Sequence, residues 1–410
     1  MHIRKLYRTI ENLASQSSSN TEELLISIIH AIIHSEDIKI KGGRLWKFNT
    51  KTNSYTLKYQ EGDISKIKPD YQLKLKDYPL FLELPKLRTF LATETDYYLR
   101  KKGIVQYSAT GVGEKIKHQG KTLYKYMLAF NTDNADKSFV DTLNIISVSL
   151  TNVIRSKQIE QKAKRLEKDL DKASEIQKSI LPAHEVKFHF YDIYGVSLPD
   201  QVVGGDFFDY LESEDSEDRL GVVIADAASK GLAAAAQALY VSGALHMGFG
   251  FNTKMSTLIS KINNLLNHVF KESNFVTLFY CELSNDKNGL CIFTNAGHNN
   301  PILYRQETNT FETLETTGQI LGPFPNEKYK TESTLINPGN VLLLYTDGVT
   351  EARNEFGEMF GEDPLKEIIR NNHSLSPKEI SQLILDQLFL FEKPNPHSDD
   401  KTLVIIKRKN

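Results

Sequence analysis

The sequence predicts an α+β chain in which two β-containing bodies are joined by one long polar helix. Three observations carry this. Residues up to about 154 run in the order helix, strands, mixed segment, strands, helix. Residues 155–182 lose strand character and become rich in Lys, Glu, Gln and Asp. From residue 183, short apolar runs of strand type alternate with pairs of amphipathic helices. The length of 410 residues exceeds what one ordinary core holds, which also argues for more than one body.

Composition narrows the class. Hydrophobic residues at 40% and charged residues at 25% are those of a soluble globular chain. A net charge of −2 supplies no basic field, so neither nucleic acid nor an anionic membrane is an expected partner. Residues 1–13 carry charges at Arg4, Lys5, Arg8 and Glu11 and no long apolar core, so no signal peptide is expected. The apolar run at 24–33 is broken by Ser27 and His30 and is too short to span a membrane. A cytoplasmic location follows as an expectation. Cys281 and Cys291 lie in apolar strand runs without zinc spacing, which suits buried thiols in a reducing compartment.

In the first body, Asn20 caps a helix whose first turn holds Glu22 and Glu23. Leu24, Leu25, Ile28, Ile29, Ile32 and Ile33 give its apolar face. After Gly42-Gly43, residues 44–49 and 55–59 alternate as two strands around a polar turn. Further strands are expected at 103–108 and 122–130. Leu143, Ile146, Leu150 and Val153 mark a closing helix over 139–154. The Gly111-x-Gly113-x-Lys115 stretch lacks the frame of a phosphate loop and is read as a hairpin turn.

In the connecting segment, Ile159, Ala163, Leu166, Leu170, Ala173 and Ile180 step by fours and threes, with Gln177 in the remaining seam position. A helix this polar needs a partner along its seam, so a coiled-coil linker in a parallel homodimer is expected, with a solvated single helix as the alternative. Leu181-Pro182 stops it.

In the second body, strands are expected at 188–197, 220–225, 276–283, 290–295, 301–304, 341–345 and 402–406, and helices at 233–245, 255–270, 364–371 and 377–391. The last helix opens with the capping box Ser376-Pro-Lys-Glu379. This pattern suggests a two-layer sheet core covered by helices. The acidic run at 212–218 reads as a solvated hairpin loop.

The chemistry rests on where aspartates stand. Asp206 follows Gly204-Gly205, Asp226 and Asp347 each end an apolar strand run, and Asp399-Asp400 precede the final strand. A carboxylate at a buried strand end is unfavourable unless paired. Four converging there would repel one another, and a divalent cation is the usual remedy. Oxygen donors select hard ions such as Mg²⁺, Mn²⁺ or Ca²⁺. Taken singly, each acid is as well explained by a turn or a helix cap.

Their surroundings go further. Val203-Gly-Gly-Asp-Phe-Phe-Asp209, Ile224-Ala-Asp-Ala-Ala-Ser-Lys-Gly231, Thr294-Asn-Ala-Gly-His-Asn-Asn-Pro301, Leu344-Tyr-Thr-Asp-Gly-Val-Thr-Glu351 with Phe356-Gly and Phe360-Gly, and Asp399-Asp-Lys-Thr402 follow in that order. Together they resemble the motifs of PPM-type metal-dependent serine/threonine protein phosphatases of the SpoIIE/RsbU branch, across about 220 residues. The resemblance implies an αββα sandwich with two Mn²⁺ or Mg²⁺ ions at its edge. It implies that Asp226 bridges both ions, that Asp347 and Asp399 bind one, and that the Ala227 carbonyl binds the other. Asp206 would act mostly through a metal-bound water, with Asp209 and Asp400 supporting from behind. A bridging water made acidic by the two cations would attack phosphorus in line.

One departure stands out: such enzymes usually have Ser-Gly where Ala228-Ser229 stand here, and a serine in place of that glycine is expected to strain a turn of positive φ. His298 is read as a strand-end histidine ordering the Ala296-Gly297 turn rather than as a general acid. Lys230 either contacts phosphate or faces solvent.

The first body resembles a GAF sensor domain in its element order and in Gly43-Arg-Leu-Trp-Lys-Phe-Asn49. Trp46, Phe48, Tyr55, Tyr59 and Tyr107 are read there as core. The resulting expectation is a GAF-like domain at 1–154, a coiled-coil linker at 155–182 and a phosphatase domain at 183–410. The substrate implied is a phosphoprotein, by analogy an anti-sigma-factor antagonist, with an upstream regulator or small ligand acting at the GAF-like domain. A non-catalytic scaffold that binds a signalling partner, and a hydrolase of small phosphoesters, are the alternatives.

Overall fold

The computed structural model describes residues 20–34, 40–132, 136–213, 216–270, 274–392 and 399–409. Residues 1–13, read above for a targeting signal, lie outside them. The chain divides into two compact units, Met1–Leu166 and Glu167–Asn410.

In the first unit, helix α1 (Thr21–Ile33) starts where the sequence dictates: Asn20 Oδ1 accepts the Glu22 N–H at 3.0 Å. Strands β1 (Gly42–Asn49), β2 (Ser54–Gly62), β3 (Gln72–Lys74), β4 (Thr89–Ala92), β5 (Tyr107–His118) and β6 (Lys121–Asn131) form one antiparallel sheet in the order β3-β2-β1-β6-β5-β4. Two short helices, α2 (Leu84–Leu87) and α3 (Tyr97–Lys101), lie between β3 and β5. Helix α4 (Lys137–Ile180) runs for 44 residues from this unit into the next.

Period-two alternation gives the sheet two apolar faces. Leu25, Ile28, Leu143 and Leu150 of the two long helices bury one face, with Leu45, Val112 and Leu128. Trp46, Tyr55, Phe81 and Tyr124 fill the other. Burial at this level stabilises by about 1.5–3 kcal/mol per large side chain.

Two local expectations are corrected. The strand expected from 103 begins only at Tyr107, because Gly103 at φ 77° closes α3 through its N–H to the Arg100 carbonyl. Gly111-x-Gly113 is no hairpin turn. It lies inside β5, where register against β6 shifts between Val112 and Lys115 as a bulge. Glycine is required at 111 because a Cβ there would stand 2.0 Å from the Tyr124 ring. The hairpin turn falls instead at Gln119-Gly120, both at positive φ. In the linker part of α4, Ile159 and Leu166 are exposed, while Gln177 leaves the seam to bind a loop of the second unit.

The second unit is built on two sheets. Strands β9 (Phe207–Ser213), β10 (Ser216–Ala227), β11 (Val276–Ser284), β12 (Leu290–Ala296) and β15 (Glu332–Leu335) make the first, in the order β15-β12-β11-β10-β9. Strands β7 (Glu185–Phe188), β8 (Tyr191–Leu198), β13 (Ile302–Arg305), β14 (Thr310–Thr313), β16 (Val341–Tyr345) and β17 (Lys401–Arg408) make the second, in the order β14-β13-β16-β17-β8-β7.

Tyr191, Phe208, Ile224, Phe279, Leu344 and Val404 pack between the sheets. Helices α5 (Leu232–Gly250) and α6 (Met255–Val269) cover the outer face of the first sheet through Ala238, Val241, Leu245 and Ile259. A short helix, α7 (Asp347–Thr350), follows β16. Helices α8 (Asp363–Asn372) and α9 (Pro377–Phe391) cover the second sheet through Leu365, Ile369, Ile380 and Ile384. The layering is α-β-β-α.

The capping box of Ser376 and Glu379 forms as expected. The run expected as a strand over 188–197 is mostly β8, and only its start differs: Phe188 ends β7 and the chain turns at His189 with φ 46° before β8 begins. The acidic run is the hairpin between β9 and β10, with residues 214–215 outside the described set. Cys281 and Cys291 are fully buried free thiols.

Candidate metal centre

Antiparallel register brings the aspartates together. Phe207 pairs with Ala225, so β9 begins where β10 ends, and Asp206 meets Asp226. Tyr345 pairs with Leu403, so β17 begins where β16 ends, and Asp347 meets the Asp399-Asp400 pair. The two sheets thereby deliver acids from four chain segments to one end of the sandwich.

Their charges act on one another. Burial and then the Asp347 carboxylate push Asp226 up to about 7 from an ordinary 3.8, with Asp399 and Asp400 adding to the rise and a hydrogen bond with Asp206 opposing it. Asp206 is raised well above its ordinary value, first by burial and then by the Asp226 charge. Asp347 is raised by burial, then by Glu351 and Asp399, while the Gly348 N–H and Lys230 oppose this.

Three further groups position the acids. Thr346 Oγ1 donates to Asp206 Oδ2 at 2.6 Å and accepts the Thr402 N–H at 3.0 Å, so one buried hydroxyl links β16, β17 and the loop before β9. Asp400 accepts from the N–H groups of Asp200, Gly205 and Asp206 at 2.8, 2.6 and 3.3 Å. Gln177 bonds the Gly204 backbone through both ends of its amide. Glycine at 205 keeps this approach close, since a Cβ there would stand 2.9 Å from the Ala234 Cβ and 3.0 Å from the Ala227 carbonyl oxygen.

Of the residues singled out in the sequence, Asp206, Asp226, Asp347, Asp399 and Asp400 meet here, beside the Ala227 carbonyl. That carbonyl also accepts the Ser229 N–H at 2.6 Å. Lys230 Nζ lies 3.2 Å from Asp399 Oδ2, with both side chains more than half exposed. Asp209 is not brought to the group. It sits on the helix-facing side of β9, where Ser242 Oγ and His246 Nε2 each lie 2.8 Å from its Oδ2.

The strain expected at Ser229 is absent. The left-handed position of this loop is Gly231 at φ 66°, and Ser229 Oγ accepts from Gln237 Nε2 at 2.9 Å. His298 is buried, with its N–H on Asn295 Oδ1 and its Nδ1 on Thr277 Oγ1, and burial lowers it to about 4.

Sequence reasoning missed Thr346 and Gln177. Thr346 stands next to Asp347, which was a usable signal. Gln177 was hidden by its place in a heptad seam.

The donor set suits a hard divalent cation: clustered carboxylates, three of them pushed toward the neutral form by burial and neighbouring acids, beside a backbone carbonyl. Among the described residues, the group with three donor atoms within 4.8 Å of one another lies elsewhere, at His30, His34 and Glu61.

The family model described as "Stage II sporulation protein E (SpoIIE)" matches residues 216–409. The phosphoserine phosphatase RsbU of Bacillus subtilis (strain 168) is 28% identical over 244 residues, covering 60% of this chain and 71% of RsbU. Protein IcfG of Synechocystis sp. is 28% identical over 280 residues, covering 62% of this chain and less than half of IcfG, 43%. The SiaA-PP2C domain of Pseudomonas aeruginosa matches in structure with a TM-score of 0.52 at 20% identity, over 61% of this chain and 99% of that domain. At that identity the likeness shows the fold alone, and the fold is of PP2C type. Family match, relatives and fold together support a SpoIIE/PP2C-type phosphatase domain in this chain.

Proposed function

We propose that this chain is a metal-dependent protein serine/threonine phosphatase of a signalling pathway, controlled by its N-terminal unit. One observation carries the reading: Asp206, Asp226, Asp347 and Asp399 approach one another at the end of the two sheets, where burial and neighbouring carboxylates raise the proton affinity of Asp206, Asp226 and Asp347. The residues that would hold two Mg²⁺ or Mn²⁺ ions are Asp226, Asp347, Asp399 and the Ala227 carbonyl, with Asp206 beside them. Bound there, the ions would make a water acidic enough to act as nucleophile near neutral pH and would neutralise phosphoryl charge.

The chain's own groups do the rest. Thr346 orients Asp206, Asp400 holds the loop of Gly205 and Asp206, and Lys230 beside Asp399 offers an ammonium to a phosphate oxygen. The half-exposed Asp399 and Lys230 favour a phosphate carried on a protein over a small ester, which an enclosed pocket would suit better. Phosphoserine is the residue named for RsbU, and phosphoserine or phosphothreonine on a partner protein, by analogy with the branch an anti-sigma-factor antagonist, is the substrate we propose.

We read residues 1–154 as a GAF-like sensor, 155–182 as a coiled-coil linker and 183–410 as the phosphatase. The six-stranded antiparallel sheet of the first unit supports the sensor reading. A cavity of about 470 Å³ in that unit, lined by Arg88, Lys115, Tyr124, Thr151 and Arg155 among others, supports a small anionic ligand as input. Exposed Ile159 and Leu166 support pairing of the linker in a homodimer.

Phosphate release from a phosphoserine peptide by the full chain tests the activity. Turnover is expected with Mn²⁺ or Mg²⁺, lost with EDTA and reduced at least about a hundredfold in Asp347→Asn. Absence of turnover across a panel of phosphoproteins, with cation binding retained, would replace this reading with that of a partner-binding scaffold.

A further inference from the structure

We infer that His30, His34 and Glu61 form a binding site for a zinc-class transition-metal ion on the N-terminal unit, separate from the aspartate group. One donor atom from each of the three lies within 4.8 Å of the other two. His30 is in the last turn of α1 and His34 is its C-cap. Four residues apart, their rings share one side of the helix, with centroids 4.2 Å apart. Glu61 comes from β2, which β1 holds in register through the Glu61–Gly43 pair. The three side chains therefore meet from two elements of the same packed unit.

The hydrogen bonds around the group orient it for a cation. His34 Nδ1 lies 2.8 Å from the His30 carbonyl oxygen, which can only accept. Nδ1 therefore carries the proton, and in the neutral ring the Nε2 lone pair is available. Metal-binding imidazoles usually carry such an outer hydrogen bond. His30 Nδ1 lies 2.7 Å from Glu61 Oε1, and the Tyr59 hydroxyl donates to Glu61 Oε2 at 2.9 Å.

Two imidazoles and one carboxylate form a donor set that favours Zn²⁺, Co²⁺ or Ni²⁺ over Mg²⁺ and leaves a position for water. An ordinary ion pair would account for His30 and Glu61, but it gives no role to His34, whose ring is held against that of His30. A bound ion would clamp the end of α1 to β2.

Co²⁺ serves as the probe, because its visible absorption is strong in a low-coordinate nitrogen-containing site and weak in a six-coordinate oxygen site such as the aspartates would form. The full chain is titrated with Co²⁺ in excess Mg²⁺. One equivalent is expected to bind with the strong band, and Zn²⁺ is expected to displace it. His34→Gln and Glu61→Gln should each weaken uptake by about tenfold or more, with the unfolding temperature of the metal-free protein unchanged. His34 is an exposed helix end, so its variant keeps the fold measurable. No strong band in the wild type, or the same band at the same affinity in both variants, would overturn the inference.

Discussion

Gln177 holds Gly204 by both of its main-chain polar groups: its amide nitrogen donates to the Gly204 carbonyl at 2.7 Å, and its amide oxygen accepts the Gly204 N–H at 3.2 Å. Gly204 stands two residues before Asp206. The end of the long helix is thus bonded to the loop that carries one of the clustered acids. Gln177→Ala removes both bonds, which costs about 1–3 kcal/mol of local order. The expected result is a Mn²⁺ half-saturation for activity raised about fivefold or more, with little change at saturating Mn²⁺. An unchanged Mn²⁺ dependence would show that the helix end does not position the loop.

The raised carboxyls set a pH dependence of stability. Asp226 binds its proton up to about pH 7 in the folded chain, against an ordinary 3.8. Between these values the folded state holds protons that the unfolded state releases, so stability falls as pH rises through that window. Asp206 and Asp347 act in the same direction. The metal-free unfolding temperature should fall between about pH 4 and pH 7, and Asp226→Asn should flatten the decline. Mg²⁺ should raise the unfolding temperature more near pH 7 than near pH 4. A metal-free curve that rises across this window would refute the charge clustering.

Asp209, away from the other acids, makes a separate prediction. Its hydrogen bond raises His246 above the ordinary histidine value, against a smaller opposing effect of burial. A His whose folded value is raised adds stability below its unfolded value, and that contribution is lost as pH rises through the folded one. The ring resonances of His246 should titrate above those of an exposed histidine and return toward the ordinary midpoint in Asp209→Asn. Equal midpoints in both proteins would rule out the pairing in solution.

The linker can be tested at its seam. Leu166→Glu with Leu170→Glu places like charges where a partner helix would pack. The double variant is expected to sediment as a monomer and to lose its response to the upstream signal, while keeping basal phosphatase activity. A dimer with a normal response would remove the coiled-coil reading.

Much of the second unit was legible along the chain. Its buried strands are runs such as Val341–Tyr345, apolar on both faces because sheet covers one side and helices the other. Edge strands were not legible. Thr310–Thr313 and Glu332–Leu335 are four residues each and mostly exposed, and hydrogen bonding to one neighbour alone makes them strands. In the first unit, Gly111 and Gly113 read as a turn because glycine serves several ends: Gly113 gives a bulge the positive φ that a turn also uses, and Gly111 makes room for the Tyr124 ring.

Local patterns by themselves determined the α+β class, the paired helices, the capped starts at Asn20 and Ser376, and which aspartates stand at strand ends, because periodicity, capping and burial are written in neighbouring residues. Only the tertiary structure decided which acids meet. Asp206 and Asp209 share one motif, yet they face different ways from β9, one toward Thr346 and Asp226 and the other toward Ser242 and His246. That sorting depends on strand register and on which layer covers each face, and both are set by contacts between segments far apart in the chain.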